Sequence, residues 1–86
     1  MDINALTAEV IGCAIEVHKV CGPGLLENVY KQCLIFELQK AGHEVEAEKP
    51  VKFTYKDSGI DLEYKIDILV DKLVIIELKS VSALNS

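Results

Sequence analysis

The stretch from Asp67 to Lys79, Asp-Ile-Leu-Val-Asp-Lys-Leu-Val-Ile-Ile-Glu-Leu-Lys, constrains the fold of this chain more than any other. Apart from Asp71-Lys72, its interior is apolar and largely β-branched, as in two buried strands joined by a turn. Buried strands seldom carry charges without partners, so Asp67, Glu77 and Lys79 need an explanation. Residues two apart on a strand share a face, which puts Glu77 beside Lys79. Asp67 joins them in one hairpin register only. A two-residue turn at Asp71-Lys72 sets Asp67 opposite Ile76, whereas one further turn residue, or a bulge, sets it opposite Glu77. The second register also sorts the side chains. Ile60, Leu62, Tyr64, Ile66, Ile68 and Val70 then share a face with Val74, Ile76 and Leu78. Asp61, Glu63, Lys65, Asp67, Glu77 and Lys79 fall on the other face with Leu69, Leu73 and Ile75. Patterning therefore favours the longer turn.

Upstream, apolar residues recur at helical spacing. Ile3, Leu6, Val10, Ala14, Val17 and Cys21 form a stripe that predicts a helix from about Asn4 to Val20. Asp2, Asn4 or Thr7 can cap its start, and Gly22-Pro23-Gly24 stops it. His18 suits its last turn as a helix-end histidine over the core. A second helix is expected from about Leu26 to Ala41, with its stripe at Leu26, Tyr30, Cys33, Leu34, Leu38 and Ala41 and Gly42 as its stop. On physical grounds alone Glu27 favours the positive end of that helix, and Tyr30 is a core residue with a polar tip. The period then changes to two. Glu44 to Glu48 reads as a solvent-facing strand, which Pro50 interrupts, and Val51 to Tyr55 as a second. Lys56-Asp57-Ser58-Gly59 is a turn, Ile60 to Val70 a long strand and Leu73 to Lys79 a central one. Ser80 to Ser86 carries no strong pattern.

At 86 residues the chain makes one small domain whose core has little margin. Half of its residues are apolar, which is ample for a packed core and argues against disorder. No apolar run approaches the roughly 20 residues of a membrane span, and the amino terminus has no signal-peptide pattern, so a cytoplasmic protein without membrane contact is expected. The net charge of −5, with nine lysines and no arginine, disfavours nucleic acid as a partner without excluding it, because a metal could hold some carboxylates. Cys13, Cys21 and Cys33 form no CxxC pair and read as reduced thiols. Cys13, His18 and Cys21 lack an evident fourth ligand for zinc.

Two carboxylates and a lysine on one sheet face suit a hard divalent cation, Mg2+ or Mn2+, held by Asp67 and Glu77. Such an ion activates water and neutralises a phosphodiester, while Lys79 orients the nucleophile or stabilises the transition state. The plainer alternative is a Glu77–Lys79 pair on a half-exposed strand. Three ordered motifs then matter together. Gly24-Leu-Leu-Glu27-Asn-Val-Tyr30, the preceding Ile15 to Gly24, and Tyr64-Lys-Ile-Asp67 followed by Ile76-Glu77-Leu-Lys79 resemble the GxxExxY proteins, a family within the PD-(D/E)XK nuclease-like superfamily, over roughly Asn4 to Leu84. The resemblance implies an α/β core with a metal on a bent sheet and Asp67, Glu77 and Lys79 as the catalytic signature. It also implies Glu27 as an assisting carboxylate and the Leu78 carbonyl as a further metal ligand. The chain departs from the family in having Lys65 where Arg is common. It stops at Ser86, where the family continues with a helix and a strand, so a truncated domain is expected.

The expectation is thus an α/β chain in an α+β arrangement: two N-terminal helices packed on a mostly antiparallel four-stranded sheet, a truncated PD-(D/E)XK-like core over 1–86. The leading function is a divalent-metal-dependent nuclease or an inactive remnant of one. The rivals are a non-catalytic protein-interaction module and a fragment of a longer GxxExxY protein. An open sheet edge predicts a homo-oligomer, most simply a dimer, or a protein partner.

Overall fold

Asp2 starts the first helix, α1 (Ile3–Cys21), because its carboxylate accepts the Ala5 amide at 2.8 Å. The computed structural model describes residues 2–79, and the expectation for Ser80 to Ser86 lies outside them. Gly22, at φ 73°, ends α1 in the left-handed region, where a side chain would be strained, and its amide donates to His18. The second helix, α2 (Glu27–Lys40), has no side-chain cap at Leu26. Tyr30 ties it to α1 instead, its hydroxyl donating to the Ala14 carbonyl at 3.1 Å.

Three strands follow: β1 (Val45–Tyr55), β2 (Ile60–Val70) and β3 (Val74–Ile76), forming an antiparallel sheet in the order β1-β2-β3. The expected pieces on either side of Pro50 are one strand, so the described residues hold three strands, not four. Pro50 pairs with Lys65 without breaking the strand. An edge strand tolerates proline where its nitrogen faces away from the partner. The last strand is also shorter than Leu73 to Lys79: only Val74–Ile76 is in the ladder.

The longer hairpin turn is present. Val70 pairs with Val74, and Asp71, Lys72 and Leu73 form an odd-numbered loop, with the first two at φ 51° and 58°. The next rungs are Leu69 with Ile75 and Ile68 with Ile76. Continuing this register by one rung sets Asp67 across from Glu77.

The helices cover one sheet face. Leu6, Val10 and Val17 of α1 and Leu34 and Leu38 of α2 pack with Ile68 and Val70 in one core, which Val45, Val74, Ile76 and Leu78 flank. Coverage stops near Ile66. Beyond it, Phe53, Tyr55, Ile60, Leu62 and Tyr64 continue the apolar face of β1 and β2 but stay 42–53% exposed. The expected face is therefore correct, and the helices are too short to roof all of it. His43 closes the opposite end. Its Nδ1 lies 2.7 Å from Asp71 in the β2–β3 turn and its Nε2 lies 2.8 Å from Glu9 of α1. The Glu44 amide donates to the second Asp71 oxygen at 2.8 Å.

Candidate functional site

Asp67 stands on the middle strand, half-buried, one residue from Ile66 and Ile68 of the buried face. Its Oδ2 accepts the Leu78 amide at 3.0 Å. That contact fixes the chain beyond the last ladder rung. For Leu78, the group thus shown toward Asp67 is its amide. The Tyr64 phenol feels the charges of both Asp67 and Glu77. A hydrogen bond to Glu77, burial and the nearby Asp67 charge raise its pKa above the usual phenol value. The alternation of side chains assigns Tyr64 to the apolar face.

Glu77 and Lys79 also line a groove with Glu27, Tyr30 and His18, bounded by the Gly22-Pro23-Gly24 connection between the helices. The helices pack on the apolar face, so Glu27 could meet the charged residues only at an edge. It does so at the end of β3, an edge strand. The structure thus brings Glu27, Glu77, Leu78 and Lys79 to one groove, while Asp67 lies outside its lining and reaches it through Leu78. His18 lines the groove as well. Tyr30, whose hydroxyl is spent on the Ala14 carbonyl, orients the start of α2, which carries Glu27.

Two residues of the region escape the sequence patterns. Lys31 occupies the buried position one turn before Leu34 and two before Leu38, where the stripe of α2 would continue with an apolar residue. Its ammonium pairs with Glu48 of β1, which also takes the Lys65 ammonium at 3.2 Å. Lys31 is four residues after Glu27, so the two share a helix face; that spacing is the signal that finds it. Glu48 is found from the β1–β2 register. Ala47 pairs with Ile68 and Lys49 with Ile66, which leaves Glu48 across from Asp67.

Whether these groups fit a divalent ion turns on their chemistry. Asp67 on the middle strand and Glu77 just past the end of β3 are hard oxygen donors, and only one Asp67 oxygen is engaged with the Leu78 amide, so the donor set fits Mg2+ or Mn2+. Among the described residues no group of three or more His, Cys, Asp or Glu gathers as a metal cage, Cys13, His18 and Cys21 included. Cys13, Cys21 and Cys33 are free thiols. No described helix is long and apolar enough to cross a membrane.

The family model of the PD-(D/E)XK nuclease superfamily matches residues 4–86 of the chain. Searches of curated proteins and of solved structures each returned no match.

Proposed function

Because the chain belongs to the PD-(D/E)XK nuclease superfamily, we propose that it is a divalent-metal-dependent phosphodiester hydrolase domain of the GxxExxY type, acting on nucleic acid. The observation that carries this reading is the hairpin register, which sets Asp67 across from Glu77 and leaves Lys79 in the groove with Glu27. Mg2+ or Mn2+ would be held by Asp67 and Glu77, with the Leu78 carbonyl and Glu27 assisting. The ion supplies charge neutralisation and acidified water. Lys79 presents its ammonium to the charge that develops on the phosphate oxygens. Glu77, two residues before that lysine, lines the same groove. A cytoplasmic setting agrees with the free cysteines.

Calorimetric titration with Mg2+ and Mn2+, read beside the melting temperature, tests the assignment. Binding accompanied by a rise in melting temperature, with both lost in Asp67→Ala, is the expected result. No heat and no shift at millimolar metal would overturn it. A second reading, a protein-interaction module, is favoured by the exposed apolar face of Phe53, Tyr55, Ile60, Leu62 and Tyr64. That reading becomes the better one if metal has no effect.

A further inference from the structure

Among the described residues Lys31 is the buried charged side chain, at 9% exposure, on the helix face that Leu34 and Leu38 continue. A lysine there is costly unless its charge is compensated. Glu48 compensates it and adopts an unusual conformation to do so. Its φ is 56°, in the left-handed region, in the middle of a strand. Non-glycine residues rarely occupy that region, and they persist in it only where their surroundings hold them. The Glu48 carboxylate is held from two sides, by the Lys31 ammonium and by the Lys65 ammonium at 3.2 Å.

This geometry completes a row. By the rungs on either side of it Glu48 of β1 takes the backbone position across from Asp67 of β2, and one rung beyond the ladder of β3 Glu77 takes the position on the other side of Asp67. Close carboxylates repel one another unless a cation stands among them. Lys31 supplies one from the helix side. It lies one turn after Glu27, and the Asp67 and Glu27 charges add to the Glu48 hydrogen bond in favouring its charged form. The lysine is tethered, nine-tenths buried, and needs no recruitment from solvent.

We propose that the Lys31 ammonium is an internal competitor of the divalent cation: it compensates the Glu48–Asp67 side of the acidic row and thereby sets how tightly Mg2+ or Mn2+ binds between Asp67 and Glu77. The inference rests on the metal-site reading above. A fixed positive charge near the site opposes a second cation strongly where water is excluded and weakly where it is not. Lys65, whose side chain is 66% exposed, holds the same carboxylate and serves as the control.

The test is calorimetric titration of the full chain with Mn2+ and Mg2+, in the wild type, Lys31→Gln, Lys31→Arg and Lys65→Gln. Glutamine keeps a hydrogen-bond donor for Glu48 and removes the charge. Should that variant lose its helical circular dichroism, Lys31→Met, which suits the apolar stripe, takes its place. The expected result is affinity tightened at least about tenfold in the neutral variant, unchanged in Lys31→Arg, and altered less than about threefold in Lys65→Gln. If the wild type binds metal and the neutral variant binds it equally or more weakly, the competitor role falls while the metal site stands. If none of the four proteins binds metal, the site itself falls and the competitor role with it.

Discussion

The Asp67 carboxylate accepts the Leu78 amide at 3.0 Å, a bond that spans eleven residues and fastens the end of β3 to the middle strand. It does structural work whether or not a cation is present. Asp67→Ala should therefore lower stability by about 0.5–1.5 kcal/mol in metal-free buffer, the usual net worth of a lost hydrogen bond. Urea denaturation in the presence of a chelator measures it. The same variant should lose the metal-induced rise in melting temperature, and a rise equal to that of the wild type would remove Asp67 from the ligand set.

Lys79→Ala separates binding from chemistry. Lysine is no ligand for a hard cation, so calorimetric affinity for Mn2+ should be retained or slightly strengthened. Hydrolysis of a labelled oligonucleotide, if the wild type performs it, should fall by at least about a hundredfold. Glu27→Ala should weaken binding only partly, because that carboxylate reaches the groove from α2 and not from the strand pair.

The His43 bridge makes stability depend on pH in two directions. The His43 pKa lies above its ordinary 6.5, raised first by the hydrogen bond to Asp71, with burial opposing and Glu9 adding to the rise. Its stabilising contribution is complete below the unfolded value and is lost as pH rises through the folded one. The Asp71 pKa lies below its ordinary 3.8, chiefly through the Glu44 amide and then through His43. Its contribution is present above 3.8 and is lost as pH falls through the depressed value. Melting temperatures across about pH 5 to 9 should decline on the alkaline side in the wild type, and His43→Gln should flatten that limb.

Ile68 is fully buried at the centre of the sheet, beneath both helices. Ile68→Ala should cost about 2–5 kcal/mol. In a domain this small, that loss is a large share of total stability. Phe53→Ala, at a position 48% exposed, should cost far less. Paired denaturation curves check the contrast.

The exposed apolar face of β1 and β2 should also carry self-association. Light scattering at rising concentration is expected to show a dimer, and Leu62→Lys, on that face but outside the core, should return the chain to a monomer. A wild-type mass that stays monomeric at every concentration would refute it.

What was legible in the sequence was what alternation and spacing encode. The β2–β3 register followed from the sorting of Ile66, Ile68 and Val70 against Asp67, because a slip of one residue would invert every face. The helices followed from their stripes and stop signals to within one residue at each end. Pro50 misled, since proline signals a break and says nothing about which side of an edge strand its nitrogen faces. The His43 bridge and the Lys31–Glu48 pair were hidden for a different reason. Their partners lie 34 and 17 residues apart, and no local period links them. Only the packing of α1 and α2 on the sheet brings them together.

The long ladder of β1 and β2 runs from a roofed end to a bare one. Val45 and Val70 pair under the helices, whereas Tyr55 and Ile60 pair at a tip that no helix reaches. The same backbone hydrogen bonds should therefore open on two clocks. Amides near Ile68 should exchange with deuterium only when the whole domain unfolds, and those from Phe53 to Leu62 in brief local excursions that leave the core closed. The tip can fray and re-form many times within one lifetime of the folded state, so it can probe its surroundings while the Asp67–Glu77 end stays set.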